Sequence, residues 1–185
     1  MTPWQINYAV RVIRQGGVIA YPTEAVYGLG CSPYYFHAVA RILRLKKRSV
    51  SKGLILVGSD ITQFEEWADF EKIKDFSPIL ASWPGPVTWI LPAKTGVPIW
   101  LTGGKSGIAI RVSAHPVVHS LCGRAGILVS TSANPANLPP AKTAHRVRSY
   151  FKNNLDFILH GPVGSQQRPT EIRDAMTGKV LRSAE

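Results

Sequence analysis

Cysteine, acidic residues and long apolar runs are all scarce in this chain. Of its 185 residues only Cys31 and Cys122 carry thiols. That is too few for a disulfide framework, so a reducing compartment is expected. The opening Met-Thr-Pro-Trp-Gln lacks the basic segment and apolar run of a secretory signal, and no stretch reaches the roughly 20 apolar residues that cross a bilayer. A cytoplasmic protein with no membrane segment is the expectation. Repeats, low-complexity tracts and composition breaks are also missing, which argues for a single domain over residues 1–185 and, with no evident exposed apolar stripe, for a monomer. Hydrophobic residues at 45% are enough to build a core and too many for a disordered chain.

The shortage of acids says most about partners. Eleven Asp and Glu stand against 22 Lys and Arg, a net charge of +11, so some surface must attract polyanions. Nucleic acid and nucleoside triphosphate both present phosphate, and charge alone does not choose between them.

Periodicity places a helix over 4–15, where Ile6, Ala9, Val10 and Ile13 share a face and Gly16-Gly17 ends it. A strand follows at 18–21, a helix at 36–45 and a strand at 54–57. Further strands are expected at 87–91, 108–112, 127–129, 157–159, 171–173 and 179–181, with helical segments near 61–68, 71–82, 116–122 and 143–151. This pattern predicts an α/β fold: an open, twisted sheet flanked by helices, mixed because the last strands are joined too tightly for helical crossovers. Ligands are then expected at loops beyond strand ends.

Several familiar motifs fail. Gly103-Gly104-Lys105-Ser106 has Ile99 where a P-loop needs its first Gly, and a strand is expected after it instead of a helix. Gly28-Leu29-Gly30 has Pro33 in the third Gly position of a dinucleotide fingerprint and reads as a turn after a strand. His115, His119 and Cys122 share a helical face, but no Glu stands between the histidines as a zinc hydrolase requires, and a packed or solvent-facing helix is the better reading. No metal site is expected. No Gly-x-Ser-x-Gly elbow supports a serine hydrolase.

Four segments carry polar groups at strand ends. In Tyr21-Pro22-Thr23-Glu24-Ala25-Val26-Tyr27-Gly28, a hydroxyl and a carboxylate follow a strand, and a capped turn explains them as well as a site does. Lys46, Lys47, Arg48 and Lys52 lead from a helix C-terminus, where cations complement the helix dipole, into a loop suited to a triphosphate. Trp83-Pro84-Gly85-Pro86-Val87-Thr88 is a rigid turn with a shape role only. Arg111 interrupts an apolar strand and must find either an anion or a salt-bridge partner, and the hydroxyl-rich Ser130-Thr131-Ser132-Ala133-Asn134 supplies acceptors and donors beside another strand.

In this order, with the C-terminal Pro169-Thr170-Glu171-Ile172 and Leu181-Arg182 elements, the segments resemble the YrdC-like family of threonylcarbamoyl-AMP synthases in its short single-domain bacterial form, over essentially the whole chain. The resemblance implies an open twisted sheet with a basic concave face that holds ATP and L-threonine. It implies that Lys46 and Arg48 form the catalytic, phosphate-binding Lys-x-Arg element, that Lys52, Ser132, Asn134 and Arg182 join them in binding ATP, and that Thr23, Arg111 and Ser130 serve threonine. The pattern departs from the family at Ala25, Ser49, Gly53, Ala136-Asn137 and Thr170-Glu171, which changes hydroxyls but leaves the charges.

The implied reaction joins threonine, bicarbonate or CO2 and ATP into threonylcarbamoyl-AMP and diphosphate. The product passes to the machinery that transfers the threonylcarbamoyl group to adenosine of tRNA at position 37. Mg2+ is expected to arrive with ATP. The competing class is a basic RNA-binding module assisting tRNA or rRNA maturation, and the two are compatible if one face serves ATP and also touches RNA. A third possibility, a fold whose basic loops are merely solvated, predicts no stabilisation by ligand, whereas ligand at 100 times its Kd stabilises by about 2.7 kcal/mol.

Overall fold

The computed structural model describes residues 2–166 and 170–183, so Pro169 of the C-terminal element lies outside the described residues. The first helix, α1 (Pro3–Arg14), starts where local chemistry demands: Thr2 accepts from the Gln5 N–H, the Gln5 side chain returns the bond, and Pro3 occupies the first turn. Gly16, at φ 77°, ends it against the His37 ring. There follow β1 (Ile19–Pro22), β2 (Tyr27–Cys31), α2 (Phe36–Lys46), β3 (Ile55–Gly58), α3 (Ser77–Ser82), β4 (Val87–Pro92), α4 (Ile99–Thr102), β5 (Gly107–Val112), α5 (Pro116–Ala125), β6 (Leu128–Ser132), α6 (Ala144–Phe151), β7 (Phe157–Ile158), β8 (Glu171–Asp174) and β9 (Val180–Arg182).

The strands form one sheet in the order β7-β1-β2-β6-β3-β5-β4-β8-β9. It is mixed: β1/β7, β3/β5 and β4/β8 run parallel, and the other neighbours are antiparallel. The expected tight ending is present as the β8/β9 hairpin. Strands β7 and β8, adjacent in sequence, lie near opposite edges of the sheet, so the chain between them must cross it. Gly161 is bonded to the Tyr27 hydroxyl, Gly164 donates to the Thr23 carbonyl and Gln166 to that of Glu24.

Alternation along the strands divides the two faces. On one, Ile108 and Ile110 of β5 join Leu56, Val129, Val39 and Ile42 in the larger core. On the other, α1 and α5 cover Ile19, Val57 and Leu128 with Ile6, Ile13, Val118 and Leu121. These two helices cover only part of that face; the remainder is open.

Two expectations need correction. Gly28-Leu29-Gly30 is part of β2, not a turn. Its glycines provide room: a Cβ on Gly30 would lie 2.6 Å from the Tyr21 ring, and one on Gly28 would lie 3.3 Å from the Thr23 methyl. The turn instead falls at 23–26, closed by Thr23 N–H to the Val26 carbonyl. The helices expected at 61–68 and 71–82 shrink to 3-10 turns at Ile61–Phe64 and Phe70–Lys72 and the short α3. Tertiary pairing takes the intervening backbone: Asp69 donates to the Pro92 carbonyl, Lys94 to that of Trp67, and Ala68 bridges Ala93. Among the described residues no helix is long and apolar enough to cross a membrane.

Candidate active site

The open part of the sheet face forms a cavity of about 950 Å³. Its floor is made of small or short side chains where the strands present them: Gly28 of β2, Ala109 of β5 and Ser130 and Ser132 of β6. Bulkier residues there would fill the space. Among the described residues seven cationic side chains line the walls, Arg48, Lys52, Lys72, Lys94, Lys105, Arg111 and Arg182, against one carboxylate, Asp174. So unbalanced a concavity is a strong anion site.

Arg111 emerges from β5 nearly fully buried. Its Nη2 lies 3.3 Å from Glu24 Oε2, and its Nη1 donates to Thr170 Oγ1 at 2.8 Å. Ser113 Oγ donates to the other oxygen of Glu24 at 2.5 Å. Arg111 therefore has both partners weighed from the sequence: an acid behind it and a cavity in front. Glu24 does not cap its turn; it holds the guanidinium. Thr170 also binds the third arginine, accepting from Nε and Nη2 of Arg182 on its carbonyl oxygen at 3.2 and 2.6 Å. Burial, reinforced by Arg111 and Arg48, lowers the Arg182 pKa, as expected of guanidiniums gathered without enough counter-charge.

Arg48 reaches the cavity because Lys47 takes the left-handed conformation at the end of α2, φ 50°, and turns the chain. Its Nη2 donates to the Gly53 carbonyl at 2.9 Å, its buried Nε has no partner, and burial lowers its pKa. Lys52 lines the same wall.

Lys46 is placed differently. It does not line the cavity. Its ammonium donates to the carbonyls of Ser132 and Asn134, the latter at 2.8 Å, and to Asn134 Oδ1 at 3.2 Å, which uses its three protons. Burial, with Arg48 adding to it, pushes its pKa down to about 8. Asn134 is likewise committed to its own loop: Nδ2 donates to the Leu138 and Pro135 carbonyls, and it too is absent from the lining. Ser132 lines the cavity beside Thr131.

Of the residues expected to serve threonine, Thr23, Arg111 and Ser130 converge on the cavity. The Thr23 hydroxyl donates to the Val26 carbonyl at 2.7 Å, so toward a ligand it can only accept. Ser130 Oγ accepts from the buried Tyr21 hydroxyl at 2.8 Å and keeps its own proton to donate. Burial also raises the Tyr21 pKa far above its ordinary value, so that hydroxyl stays a donor.

Sequence reasoning missed several lining groups, three cations among them. Lys105 and Ser106 belong to the rejected Gly-Gly-Lys-Ser segment: Gly103 and Gly104 have φ 70° and 79° and turn the chain from α4 into β5, carrying both residues to the cavity rim. A cation after paired glycines was the available signal. Lys72 and Lys94 stand on irregular segments with no local signature. His115, His119 and Cys122 do not line the cavity; the Cys122 thiol is buried and faces the Val57 carbonyl at 3.5 Å.

Residues 11–184 match the Sua5/YciO/YrdC family, described as telomere recombination. A threonylcarbamoyl-AMP synthase of Coxiella burnetii is 52% identical over 178 residues, 96% of each chain. Among solved structures, P. abyssi Sua5 complexed with L-threonine superposes with a TM-score of 0.86 at 32% identity, covering 94% of this chain and 52% of that one. This chain thus spans about half the length of that protein. E. coli YciO superposes with a TM-score of 0.79 at 26% identity, covering all of this chain and 94% of its own.

Proposed function

The chain belongs to the Sua5/YciO/YrdC family and is a threonylcarbamoyl-AMP synthase of tRNA modification, and from that premise we propose that the basic cavity is where ATP and threonine meet. The observation that carries this placement is the charge of the walls, among the described residues seven cations against one carboxylate above a floor of small side chains. A triphosphate supplies the missing negative charge, and the cavity is large enough for a nucleotide and an amino acid together.

In this reading Arg48, Lys52 and Arg182 hold the triphosphate, with Lys105 at the rim. The bidentate geometry of the guanidiniums suits phosphate oxygens. Threonine lies toward Thr23, Ser130 and Arg111, its carboxylate on the guanidinium that Glu24 orients. The P. abyssi structure with bound L-threonine supports an amino-acid subsite on this fold. The neutral threonine amine adds to CO2 with release of a proton to solvent, or to bicarbonate with loss of water, and gives a carbamate. A carbamate oxygen then forms a bond to the α-phosphorus of ATP, the bond to the β-phosphate bridge breaks, and diphosphate leaves. No general base is required for the second step because the carbamate is already anionic. The residues contribute position and charge neutralisation.

Lys46 and Asn134 act here as positioning residues. By fixing the 132–134 backbone, the Lys46 ammonium holds Ser132 against the nucleotide without touching it. Mg2+ fits the site as a companion of the triphosphate: among the described residues Asp174 is the one lining carboxylate, and its Oδ1 already accepts from Met176, Thr177 and the Thr177 hydroxyl. When bound, Mg2+ neutralises phosphate charge that Lys and Arg leave uncovered.

The test is diphosphate release from Mg-ATP by the purified protein, with threonine and bicarbonate each present or omitted. Release that needs both is expected. Release indifferent to threonine, or none at all, would overturn the reading of the site.

A further inference from the structure

A second basic surface lies outside the cavity. Residues 76–155 contain no Asp or Glu, and five basic side chains of this stretch stand on α6 or directly beside its ends. Lys142, His145, Arg146, Arg148 and Lys152 are all exposed, while only Val147 and Phe151 of the helix are buried. None of the five lines the cavity. The ion pairs among the described residues join Arg41 to Asp156, Lys72 to Asp69, Arg111 to Glu24 and Arg173 to Glu171. None involves α6, and its nearest acid in sequence, Asp156, is held by Arg41.

This arrangement is unfavourable for the free protein in two ways. Arg146 and Arg148 stand on this short helix, with Lys142 just before its N-cap, Thr143, and Lys152 at its C-cap, so like charges crowd one another along its length. Lys142, His145 and Arg146 also crowd the positive end of the helix dipole, where no acid is present. A polyanion laid along the helix relieves both. Arg146 is propped for such a role: its guanidinium lies 5.5 Å from the centroid of the Tyr150 ring, and Tyr150 is pinned by its hydroxyl to the Pro139 carbonyl at 3.0 Å.

We propose that the exposed face of α6 is a docking surface for the phosphate backbone of RNA. An acidic protein is disfavoured because a protein interface is built around an apolar or aromatic centre. The exposed large hydrophobics of the chain include none between 142 and 154. Phosphate binding needs no such centre, and the exposed Ser149 and Asn153 beside the cations add donors and acceptors for phosphate and sugar. This proposal stands independently of how the cavity is assigned.

The test is fluorescence anisotropy of a labelled tRNA over a series of salt concentrations. It compares the unaltered protein, an α6 variant carrying Arg146→Gln, Arg148→Gln and Lys152→Gln, and a cavity variant, Arg182→Gln. Losing three phosphate contacts should flatten the slope of log K against log salt by about 2 to 3 and weaken binding at least about tenfold at moderate salt. Circular dichroism should show the α6 variant folded, and its threonine-dependent diphosphate release should be unchanged. Arg182→Gln should keep the full salt slope. The proposal is overturned if the α6 variant binds tRNA with the original slope, if only the cavity variant loses binding, or if the unaltered protein ignores tRNA and binds polyglutamate instead. Should the triple variant fail to fold, the single Arg148→Gln substitution, expected to flatten the slope by about 1, decides the matter in the same way.

Discussion

Arg111 and Glu24 form an ion pair at 3.3 Å with side chains only 7% and 10% exposed. They come from segments separated by nearly half the chain, and together they join the turn after β1 to the middle of the sheet. A pair this deep gains little over an apolar replacement but costs heavily when one partner is removed, because the other is left charged and unpaired.

Glu24→Gln should therefore destabilise the fold by roughly 3–5 kcal/mol in urea denaturation, with loss of threonine-dependent activity. The double variant Glu24→Gln with Arg111→Met should recover part of the stability and none of the activity. A loss below about 1 kcal/mol for Glu24→Gln would show that the pair does not carry charge in the folded protein.

Lys46 makes stability depend on alkaline pH. Its folded-state pKa, about 8, lies below the ordinary 10.5, so between these values the unfolded chain binds more protons and stability rises with pH. Below pH 8 the ammonium is charged in both states and its burial is a constant cost. The rise across the window is at most about 3 kcal/mol, less whatever its three carbonyl acceptors offset. Lys46→Met should lack this rise when unfolding curves of the two proteins are subtracted across pH 8 to 10.5. It should also impair diphosphate release by loosening the Ser132–Asn134 backbone.

Arg48→Gln and Arg182→Gln should each weaken ATP binding by roughly 10- to 100-fold, the usual worth of one hydrogen bond to a charged group. Thermal unfolding without ligand should change little, since burial of either guanidinium is itself costly. Calorimetric titration of ATP checks this, and unaltered affinity in both variants would place the triphosphate elsewhere.

Gly30→Ala should destabilise by about 1–3 kcal/mol through overpacking, because the added methyl meets the Tyr21 ring at 2.6 Å and the Val129 carbonyl at 3.0 Å. The shift in urea midpoint measures it. A neutral result would mean that Tyr21 can move away from Ser130, its partner at 2.8 Å.

The helices with a clean apolar stripe were legible. Ile6, Ala9, Val10 and Ile13 are buried on α1, and Val39 and Ile42 on α2. The strand runs other than β2 also start within a residue of where apolar continuity put them, although β6 continues through Ser132, three residues past its expected end. The segments from 61 to 82 were misread because their backbone donors are used by β4 and its extension, which no local pattern announces. Gly28 and Gly30 were misread for a related reason: a glycine that makes room for a ring across the sheet looks, in sequence, like one that makes a turn.

The site divides along the same line. Arg48, Lys52, Arg111, Ser130, Ser132 and Thr23 were identifiable as polar groups around strand ends and Arg182 through the family resemblance, and the fold brings them to one cavity. What could not be read was how each group spends its hydrogen bonds. Lys46 and Arg48 sit two residues apart in one motif, yet one ammonium is consumed by carbonyls 86 and 88 residues away and one guanidinium reaches the cavity wall.

By itself the sequence determined the charge balance, the α/β character and the chemical inventory of the loops, since these depend on composition and on periodicities that each element carries within itself. Only the tertiary structure decided the strand order, the crossing from β7 to β8, the partner of Arg111 and the commitment of Lys46. Each of these depends on which distant backbone groups arrive beside a side chain, and a buried polar atom bonds whatever the fold brings within about 3 Å of it.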